Sequence, residues 1–564
     1  MKNGKIRLIF HWSFFIAPFS RRRRETYPSL RDPCAGLKPT GMTPAVSVLV
    51  VGAGPTGLLL ASELRRRGVA CRLVDSHAAP LHWDRATVVH PRSLEVFESL
   101  GILDSFLTAG VRQCFARLHS GGKVLGQLDL SICGSRYGFN LGISEETTES
   151  ILTDYLHRHG GDVVRGCRLT GLKANENEVV ATLASNGSTE ELRVEWIVGC
   201  DGLHSTTREL SGIGLEGHDI PEPWAVFDVT LTGWSEPYEA IYVYMDEIPV
   251  ILTALPNRRW RAYMRPRSPD CDLVADAAAT VLRYQPAVRF DDVANPTRFH
   301  CHTKVARQFR AGRVLLAGDA AHVCSPFQGH GMNTGLQDAF NLAWKLALVC
   351  QGHCAPEMLD SYDAERRPVA QSVAASGDEV EHAQTLADPA ERRARDEALR
   401  AVFSDPKSRH HEAIAEAELN IDYGTSPIVM GDEHAALGPG ERLPDTIEIL
   451  LAGSANRALH ALTHRAGHTA LVVGGASSRD EDLERILGPM RSGSGGLLLE
   501  ETVAITARSD CRQPWARLSA KAAEQLGVEG VALLVVRPDG HVGLRADRNY
   551  LQALAAYRQL LKWK

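Results

Sequence analysis

The sequence has no Cys-x-x-Cys pair, no excess of basic charge and no long apolar run. Its 12 cysteines are scattered along the chain, which argues against zinc sites and dithiol redox motifs and suits a reducing compartment. A net charge of −6 gives no electrostatic footprint for nucleic acid. We therefore expect a cytoplasmic protein with no metal site, no nucleic-acid partner and no membrane span.

The N-terminal segment is apolar only over residues 6–19, fewer than the ~20 residues of a membrane-spanning helix. A basic cluster, residues 21–24, follows this stretch, whereas a secretory signal carries its positive charge in front. We predict that residues 1–41 are a disordered leader and that the functional chain starts near Met42. A membrane anchor or an organelle-targeting segment is the alternative.

Residues 48–57 combine an apolar strand with the pattern Gly-x-Gly-x-x-Gly, and an amphipathic helix and a second strand follow. This is the layout of a βαβ dinucleotide fingerprint. The first glycine makes the tight turn, the second lets the backbone approach a pyrophosphate, and the third packs helix on strand. The acid that ends the second strand can bind a ribose diol. The predicted dinucleotide contacts are Gly52, Gly54, Pro55, Thr56, Gly57 and Asp75.

Two more strands end in motifs built from glycine and aspartate. The strand at residues 197–199 runs into Asp201-Gly202, and the strand at residues 313–317 runs into Gly318-Asp319. A glycine-rich turn at residues 325–333 then opens a predicted helix over residues 334–349. A turn of this kind at a helix N-terminus binds anions, so the sequence predicts a second anion site.

Together these landmarks resemble the class A flavoprotein aromatic hydroxylases, which include para-hydroxybenzoate, phenol and polyketide hydroxylases, over roughly residues 46–375. The resemblance implies bound FAD, with NADH or NADPH as a transient co-substrate. It implies that Gly318 and Asp319 contact the FAD chain and that Asp201 supports FAD and nicotinamide binding. It also implies a reactive flavin face beside four residues, counted as catalytic, the last three of which would offer backbone N–H groups to flavin N1 and O2: Pro326, Gly331, Met332 and Asn333.

The chain departs from the family pattern at several positions. Glu145 stands where relatives carry a glutamine, and Ser325, Gln328 and His330 replace a proline, a glycine and a glutamine. His330 is open between a pocket residue and a structural one. Arg85 is a predicted FAD contact, while Arg92 is equally well explained as a helix-surface partner of Glu95.

The reaction that the resemblance implies is hydroxylation of a phenolic or polyketide-like aromatic substrate with O₂ through a flavin C4a-hydroperoxide. A single dinucleotide fingerprint fits NAD(P)H that binds and leaves, with FAD supplying the difficult chemistry. A flavin-dependent halogenase is disfavoured because the sequence lacks a Trp-x-Trp-x-Ile-Pro segment. A FAD-dependent oxidase or reductase and a non-catalytic FAD-binding protein are the alternatives that stay open.

Substrate contacts are sought in residues 216–300, which alternate like strands of a sheet. Tyr242 and Tyr244 share one strand face, and Tyr263 lies on another strand. These tyrosines are candidates for the wall of an aromatic pocket, and a packed or solvated sheet face is the competing interpretation. The run from His300 to His302 alternates across a strand, which disfavours a metal site there.

The predicted fold is α/β: a Rossmann-like FAD-binding domain with an interleaved β-sheet substrate domain and a C-terminal thioredoxin-like domain. We place the first two in residues 42–400, with the substrate sheet at about 113–142 and 216–300. A helical linker takes residues 401–438. Residues 439–564 resemble the thioredoxin-like domain of phenol and polyketide hydroxylases, but their one cysteine, Cys511, excludes a dithiol. Packing or oligomerisation, for example as a homodimer, is the expected role.

Overall fold

A computed structural model describes residues 46–81, 86–431, 436–450, 456–490, 499–508 and 516–562. The predicted leader, Arg85 and Cys511 lie outside the described residues.

The described residues form helices of very different length, and the two longest, α7 and α8, follow one another in the chain. Their bounds are α1 Pro55–Arg66, α2 Pro91–Ser99, α3 Leu103–Ala109, α4 Glu145–Arg158, α5 Thr206–Leu210, α6 Leu273–Leu282, α7 His330–Cys350, α8 Asp360–Gln384, α9 Pro389–Ser404, α10 Pro406–Glu416, α11 Asp480–Pro489, α12 Ala520–Gln525 and α13 Tyr550–Leu560.

A six-stranded sheet carries the predicted nucleotide-binding motifs. Its order is Arg310–Ala311, Val314–Leu316, Trp196–Gly199, Val48–Val51, Cys71–Val74 and Val163–Val164. The strands are parallel except for the first pair. The apolar runs of the central strands are buried on both faces, as expected for a parallel sheet between helices. Val51 pairs with Gly199 and Gly199 with Leu316. All three motif turns therefore leave the sheet at one edge.

A seven-stranded sheet is built from two separate parts of the chain. Its order is Arg289–Phe299, Trp224–Thr232, Arg259–Met264, Val250–Leu255, Ala240–Tyr244, Phe115–Ser120 and Lys123–Asp129. Only the contact between Ala240–Tyr244 and Phe115–Ser120 is parallel. These strands fall within the residues predicted for the substrate sheet.

Three small sheets connect these layers. The first pairs Ser188–Val194, Val179–Ser185 and Cys167–Ala174; the second pairs Leu215–Asp219, His302–Ala306 and His322–Val323; the third pairs Val88–Val89, Asn140–Gly142 and Val111–Gln113.

The described residues from 436 onward, which we call the C-terminal lobe, contribute seven strands to an eight-stranded sheet. Its order is Met430–Gly431, Val542–Ala546, Val531–Val536, His468–Gly474, Leu499–Thr506, Ala516–Leu518, Glu448–Leu450 and Arg457–Ala458. The predicted α/β class is confirmed by these sheets and their covering helices. The thioredoxin-like assignment and the domain boundaries stay predictions.

Burial of apolar side chains joins the first sheet to its helices. Leu60 and Leu64 of α1 and Leu336 and Phe340 of α7 are at most 5 % exposed and belong to one core cluster. Each pair is four positions apart, which places its two members on the same face of their helix. Within the described ranges, no helix combines the length and the apolar character that crossing a bilayer requires.

Candidate functional site

The first glycine turn is held by contacts that leave no room for side chains. Gly52 has φ +101°, and a Cβ there would lie 2.2 Å from the Cys200 carbonyl oxygen. A Cβ on Gly57 would lie 1.9 Å from the Gly52 carbonyl oxygen. Both positions therefore require glycine for turn geometry and for helix-on-strand packing.

Gly54 differs from the other two glycines because its open side faces the cavity. A Cβ at this position would meet only Oε1 of Glu149, at 3.8 Å. Gly54 is also the N-cap of α1, and no side chain caps the helix. The first N–H groups of α1 are thus available to an anion that approaches the backbone.

Asp75 lies at the edge of the same turn and lines the cavity. Its Oδ2 accepts a hydrogen bond from the Ala53 N–H (2.8 Å), and its Oδ1 accepts one from the His77 N–H (2.8 Å). Arg165 lies 3.8 Å from the same carboxylate. Asp75, which is predicted to bind the ribose, therefore also stabilises the first glycine turn.

The Asp201 side chain holds the Asp201-Gly202 turn in place. Its Oδ2 accepts hydrogen bonds from the N–H (2.9 Å) and the hydroxyl (3.0 Å) of Thr207 at the start of α5. Arg208 donates from the same helix to the Leu203 carbonyl (2.7 Å) and to the Ala320 carbonyl (2.9 Å). The Asp201 turn and the Gly318-Asp319 turn are thereby tied to each other.

The Gly318-Asp319 turn packs against the first glycine turn, residues 52–57. Gly318 has φ +58°, and a Cβ there would lie 2.6 Å from Oγ1 of Thr56. A Cβ on Gly335, in the second turn of α7, would lie 2.4 Å from the same oxygen. Asp319, by contrast, is exposed and lines the cavity. Thr56 thus brings the two predicted anion sites together.

In the second glycine turn, residues 325–333, α7 begins earlier than the sequence predicts. A short 3₁₀ turn, Pro326–Gln328, leads to Gly329 at φ +72°, and α7 begins at His330 instead of residue 334. Gly331, Met332 and Asn333 therefore lie in the first helical turn, where N–H groups lack helical partners. The prediction missed this because glycine and asparagine are poor helix formers.

The Asn333 side chain is occupied in holding this turn. Its Oδ1 accepts a hydrogen bond from the His90 N–H (2.9 Å), and its Nδ2 donates to the Val88 and Gly329 carbonyls (2.9 and 2.8 Å). Only the backbone of Asn333 is thereby left for the predicted flavin contact.

His330 is paired with a carboxylate from a distant part of the chain. Its Nδ1 lies 2.8 Å from Oε1 of Glu418, and its ring stacks on that of His90 at 4.8 Å. Gln337 donates to the other Glu418 oxygen. Burial opposes the charged imidazole, but the Glu418 hydrogen bond and the charges of Glu418 and Glu416 outweigh it and raise the pKa of His330.

One cavity of about 1790 Å³ joins all these features. Its wall includes the predicted cofactor residues Gly52, Gly54, Pro55, Thr56, Asp75, Asp201, Asp319, Gly331 and Met332, together with Pro326, His330 and Glu418. The two glycine turns thus open into a single space. Gly57, Gly318 and Asn333 stand behind this wall and shape it through the contacts described above.

One face of the seven-stranded sheet forms the opposite wall of the cavity. Val226, Ile251 and Tyr263 pack into an apolar cluster with Phe327, the residue after Pro326. The Tyr263 hydroxyl lies 3.1 Å from Oγ1 of Thr87, and burial raises the pKa of Tyr263. An apolar surface therefore faces the second glycine turn.

Tyr242 and Tyr244 lie on the other face of the sheet, so their prediction as substrate contacts is corrected. Both are at most 1 % exposed and belong to a separate core, and the Tyr242 hydroxyl donates to the Pro237 carbonyl (2.7 Å). The cavity is lined by their neighbours Ile241 and Val243. Strand alternation was correctly read, but the sequence did not indicate which face turned inward.

Several cavity residues had no signal in the sequence. His411, Glu412, Ala415, Glu416 and Glu418 come from α10 and the residues after it. They lie in the segment predicted as a helical linker. Glu418 has φ +57°, a backbone conformation that is rare for a non-glycine residue and is found at functional sites. No pattern of residues in the sequence predicts this conformation.

The residues present fit the predicted FAD. Gly54 leaves its backbone open to the cavity, α1 and α7 both begin there without a side-chain cap, and Asp319 lines the same cavity. A diphosphate needs N–H donors at a helix N-terminus. Glu145, the departure from the family glutamine, lines the cavity and accepts a hydrogen bond from the Ala86 N–H (3.2 Å).

Comparisons with known proteins agree with this geometry. Residues 45–376 match the family model described as FAD binding domain. The chain is 31 % identical over 538 residues to the 6-methylpretetramide 4-monooxygenase of Streptomyces rimosus, covering 91 % of this chain and 93 % of that protein. It is 33 % identical to the rifampicin monooxygenase of Rhodococcus hoagii, with 68 % and 81 % covered.

Among solved structures, the anhydrotetracycline hydroxylase OxyS from Streptomyces rimosus superimposes with a TM-score of 0.70 at 28 % identity. That match covers 92 % of this chain and 98 % of the other. The similarity therefore extends over the C-terminal lobe as well as the matched domain.

Proposed function

The chain belongs to the family of proteins that carry this FAD binding domain, and on that premise we propose that it hydroxylates a phenolic, polyketide-like aromatic compound with NAD(P)H and O₂. The resemblance to class A flavoprotein aromatic hydroxylases is confirmed by the family match and by the named relatives. The protein is a FAD-dependent monooxygenase, and FAD is its cofactor.

A single observation carries the proposal. The turns predicted to bind FAD and the apolar sheet face with Tyr263 line one cavity. Its volume of about 1790 Å³ exceeds the ~300–1,000 Å³ of an ordinary ligand pocket. Cofactor and aromatic substrate can therefore occupy the same enclosure, as transfer of an oxygen atom from one to the other requires.

Each part of the cavity wall has its own task. The N-termini of α1 and α7 supply N–H donors and partial positive charge for the pyrophosphate and for the anionic form of the reduced flavin ring. Asp319, which lines the cavity, would accept hydrogen bonds from hydroxyls of the FAD chain. Val226, Ile251 and Phe327 exclude water beside the reactive face. Bound FAD would supply the redox and O₂ chemistry at this site, and these residues would hold it there.

The size of the cavity and the full-length relatives favour a polycyclic substrate over a simple phenol. A relative that aligns over 93 % of its length is named for 6-methylpretetramide, and OxyS is named for anhydrotetracycline. Tyr263 and its neighbours offer an extended apolar wall suited to fused rings.

The test is a screen of phenols and polycyclic polyphenols for stimulated NADH or NADPH oxidation, followed by mass analysis of products formed under ¹⁸O₂. A product that carries one heavy oxygen supports hydroxylation. Stimulated oxidation that yields only hydrogen peroxide with every compound would favour the alternative, an oxidase or reductase. Bound FAD without any NAD(P)H oxidation would favour a non-catalytic FAD-binding protein.

Finer parts of the function stay predictions. These are the choice between NADH and NADPH, the C4a-hydroperoxide route of oxygen transfer, a cytoplasmic location and a homodimer.

A further inference from the structure

Buried charged side chains join the C-terminal lobe to α7 and α8. Arg537 donates hydrogen bonds to both carboxylate oxygens of Glu365 on α8 (2.8 Å each). Asp539 accepts a hydrogen bond from Nε1 of Trp344 on α7 (3.0 Å), and Lys345 lies 2.7 Å from Glu365. None of these side chains is more than 3 % exposed. The lobe thus reaches into the interior of the cofactor domain.

The residue next to Glu365 faces the cofactor turns. Arg366 donates from Nε to Oδ1 of Asp338 (2.7 Å) and from Nη2 to the Thr334 carbonyl (3.1 Å). Oδ2 of Asp338 in turn accepts hydrogen bonds from the Gly318 N–H (3.1 Å) and from Nε2 of His322 (2.7 Å). Arg366 therefore fixes both the Gly318-Asp319 turn and the first turns of α7.

Tyr423 connects these two groups of charges. Its hydroxyl accepts a hydrogen bond from Nη1 of Arg366 (3.0 Å). The Arg537 guanidinium lies 5.1 Å from the centre of the Tyr423 ring, and the His541 ring lies 4.4 Å from it. A continuous chain of contacts thus runs from the lobe, through Tyr423, Arg366 and Asp338, to Gly318 behind the cavity wall.

Stability alone is a weak reason for this arrangement. Buried ion pairs often contribute no more stability than well-packed apolar residues, because each charge loses its hydration. Burial is severe enough to lower the pKa of Lys345 to about 8 against the opposing charge of Glu365. Such pairs instead fix the orientation of the side chains, since a guanidinium donates hydrogen bonds along fixed directions. All three nitrogens of Arg366 donate a hydrogen bond.

We infer that the C-terminal lobe positions the FAD site: Arg537 packs on the Tyr423 ring, and Tyr423 holds Arg366 in the orientation in which Asp338 keeps the Gly318-Asp319 turn shaped for the cofactor. Tyr423, Arg366 and Asp338 are positioning residues, since none of them lines the cavity. This role goes beyond packing or oligomerisation of the lobe. It rests on FAD binding but not on the identity of the substrate.

The test compares two tyrosine-to-phenylalanine variants of the full chain. Tyr423→Phe removes the hydroxyl that accepts from Arg366. Tyr557→Phe is the matched control, because Tyr557 is also buried and its hydroxyl is hydrogen-bonded to His468 of the lobe (3.3 Å) and not to Arg366. Apoprotein is titrated with FAD, followed by flavin fluorescence, and the melting temperature without FAD is recorded.

We expect Tyr423→Phe to raise the FAD dissociation constant ~5-fold, the effect of one lost hydrogen bond, and Tyr557→Phe to leave it within about 2-fold at a comparable loss of melting temperature. Arg537→Lys, which keeps the charge but not the paired donors, should weaken FAD binding as well. An unchanged dissociation constant in Tyr423→Phe, or an equal rise in Tyr557→Phe, would overturn the inference. Wild-type protein that binds no FAD would instead refute the proposed function.

Discussion

Nδ1 of His330 lies 2.8 Å from Oε1 of Glu418, although 88 positions separate the two residues in the sequence. His330 opens α7 at the second glycine turn, and Glu418 follows α10 in the left-handed backbone region. Both line the cavity. A strained, buried carboxylate that holds an imidazole in a cavity wall is typical of a functional site.

The stability of this pair should depend on pH. The pKa of His330 is raised above its usual 6.5 in the folded protein, so the charged pair stabilises the fold below about pH 6.5 and loses that contribution as the pH rises through the folded pKa. The difference in free energy of unfolding between wild type and His330→Gln should therefore shrink from about pH 6 to about pH 9. Urea unfolding at both pH values measures it, and a difference that stays constant would contradict the charged pair.

Gly54→Val should abolish FAD retention without unfolding the protein. A Cβ added at this position meets only Oε1 of Glu149, at 3.8 Å, but the valine side chain fills the space that a pyrophosphate needs against the backbone. Gly488→Val is the control, because a Cβ there meets nothing within 4 Å and α11 lies in the C-terminal lobe. FAD content after gel filtration and the melting temperature are the measurements. Full FAD occupancy in Gly54→Val would argue against this placement of the pyrophosphate.

Gly318→Ala should weaken FAD binding and stability more than Gly312→Ala. Both glycines have φ +58°, so both substitutions carry the same backbone strain, about 1–3 kcal/mol. Only at Gly318 does the new methyl group also collide with Thr56, 2.6 Å from its Oγ1. Chemical denaturation and FAD titration separate the two effects, and equal losses in both variants would show that the collision relaxes at no cost.

The two faces of the seven-stranded sheet should respond differently to loss of a tyrosine hydroxyl. Tyr263→Phe alters the cavity wall and should change the KM of any substrate found in the screen. Tyr242→Phe should leave KM unchanged and lower the free energy of unfolding by about 1 kcal/mol, because the Pro237 carbonyl loses its buried donor. A larger KM effect from Tyr242→Phe would mean that the wrong face of the sheet has been assigned to the substrate.

The parts of the site that follow from local sequence were predicted, and the parts that depend on folding were not. Strand, glycine turn and helix are consecutive in residues 48–66, so Gly52, Gly54 and Gly57 could be given separate tasks. The choice of sheet face for Tyr242 depends on what packs above it, which alternation alone leaves undetermined. Glu418 and Tyr423 reach the site only because α10 and the lobe fold back over α7, and no spacing in the sequence encodes that contact.

His411, Glu412 and Ala415 line the cavity, yet they follow residue 376, where the match to the shared domain ends. One end of the cavity is thus lined by a stretch of chain that lies outside the matched FAD binding domain. Two homologues could keep the oxidising machinery intact and diverge in what they accept by changing this short stretch. Exchanging residues 389–420 between two homologues and comparing the substrates that each accepts would test this consequence.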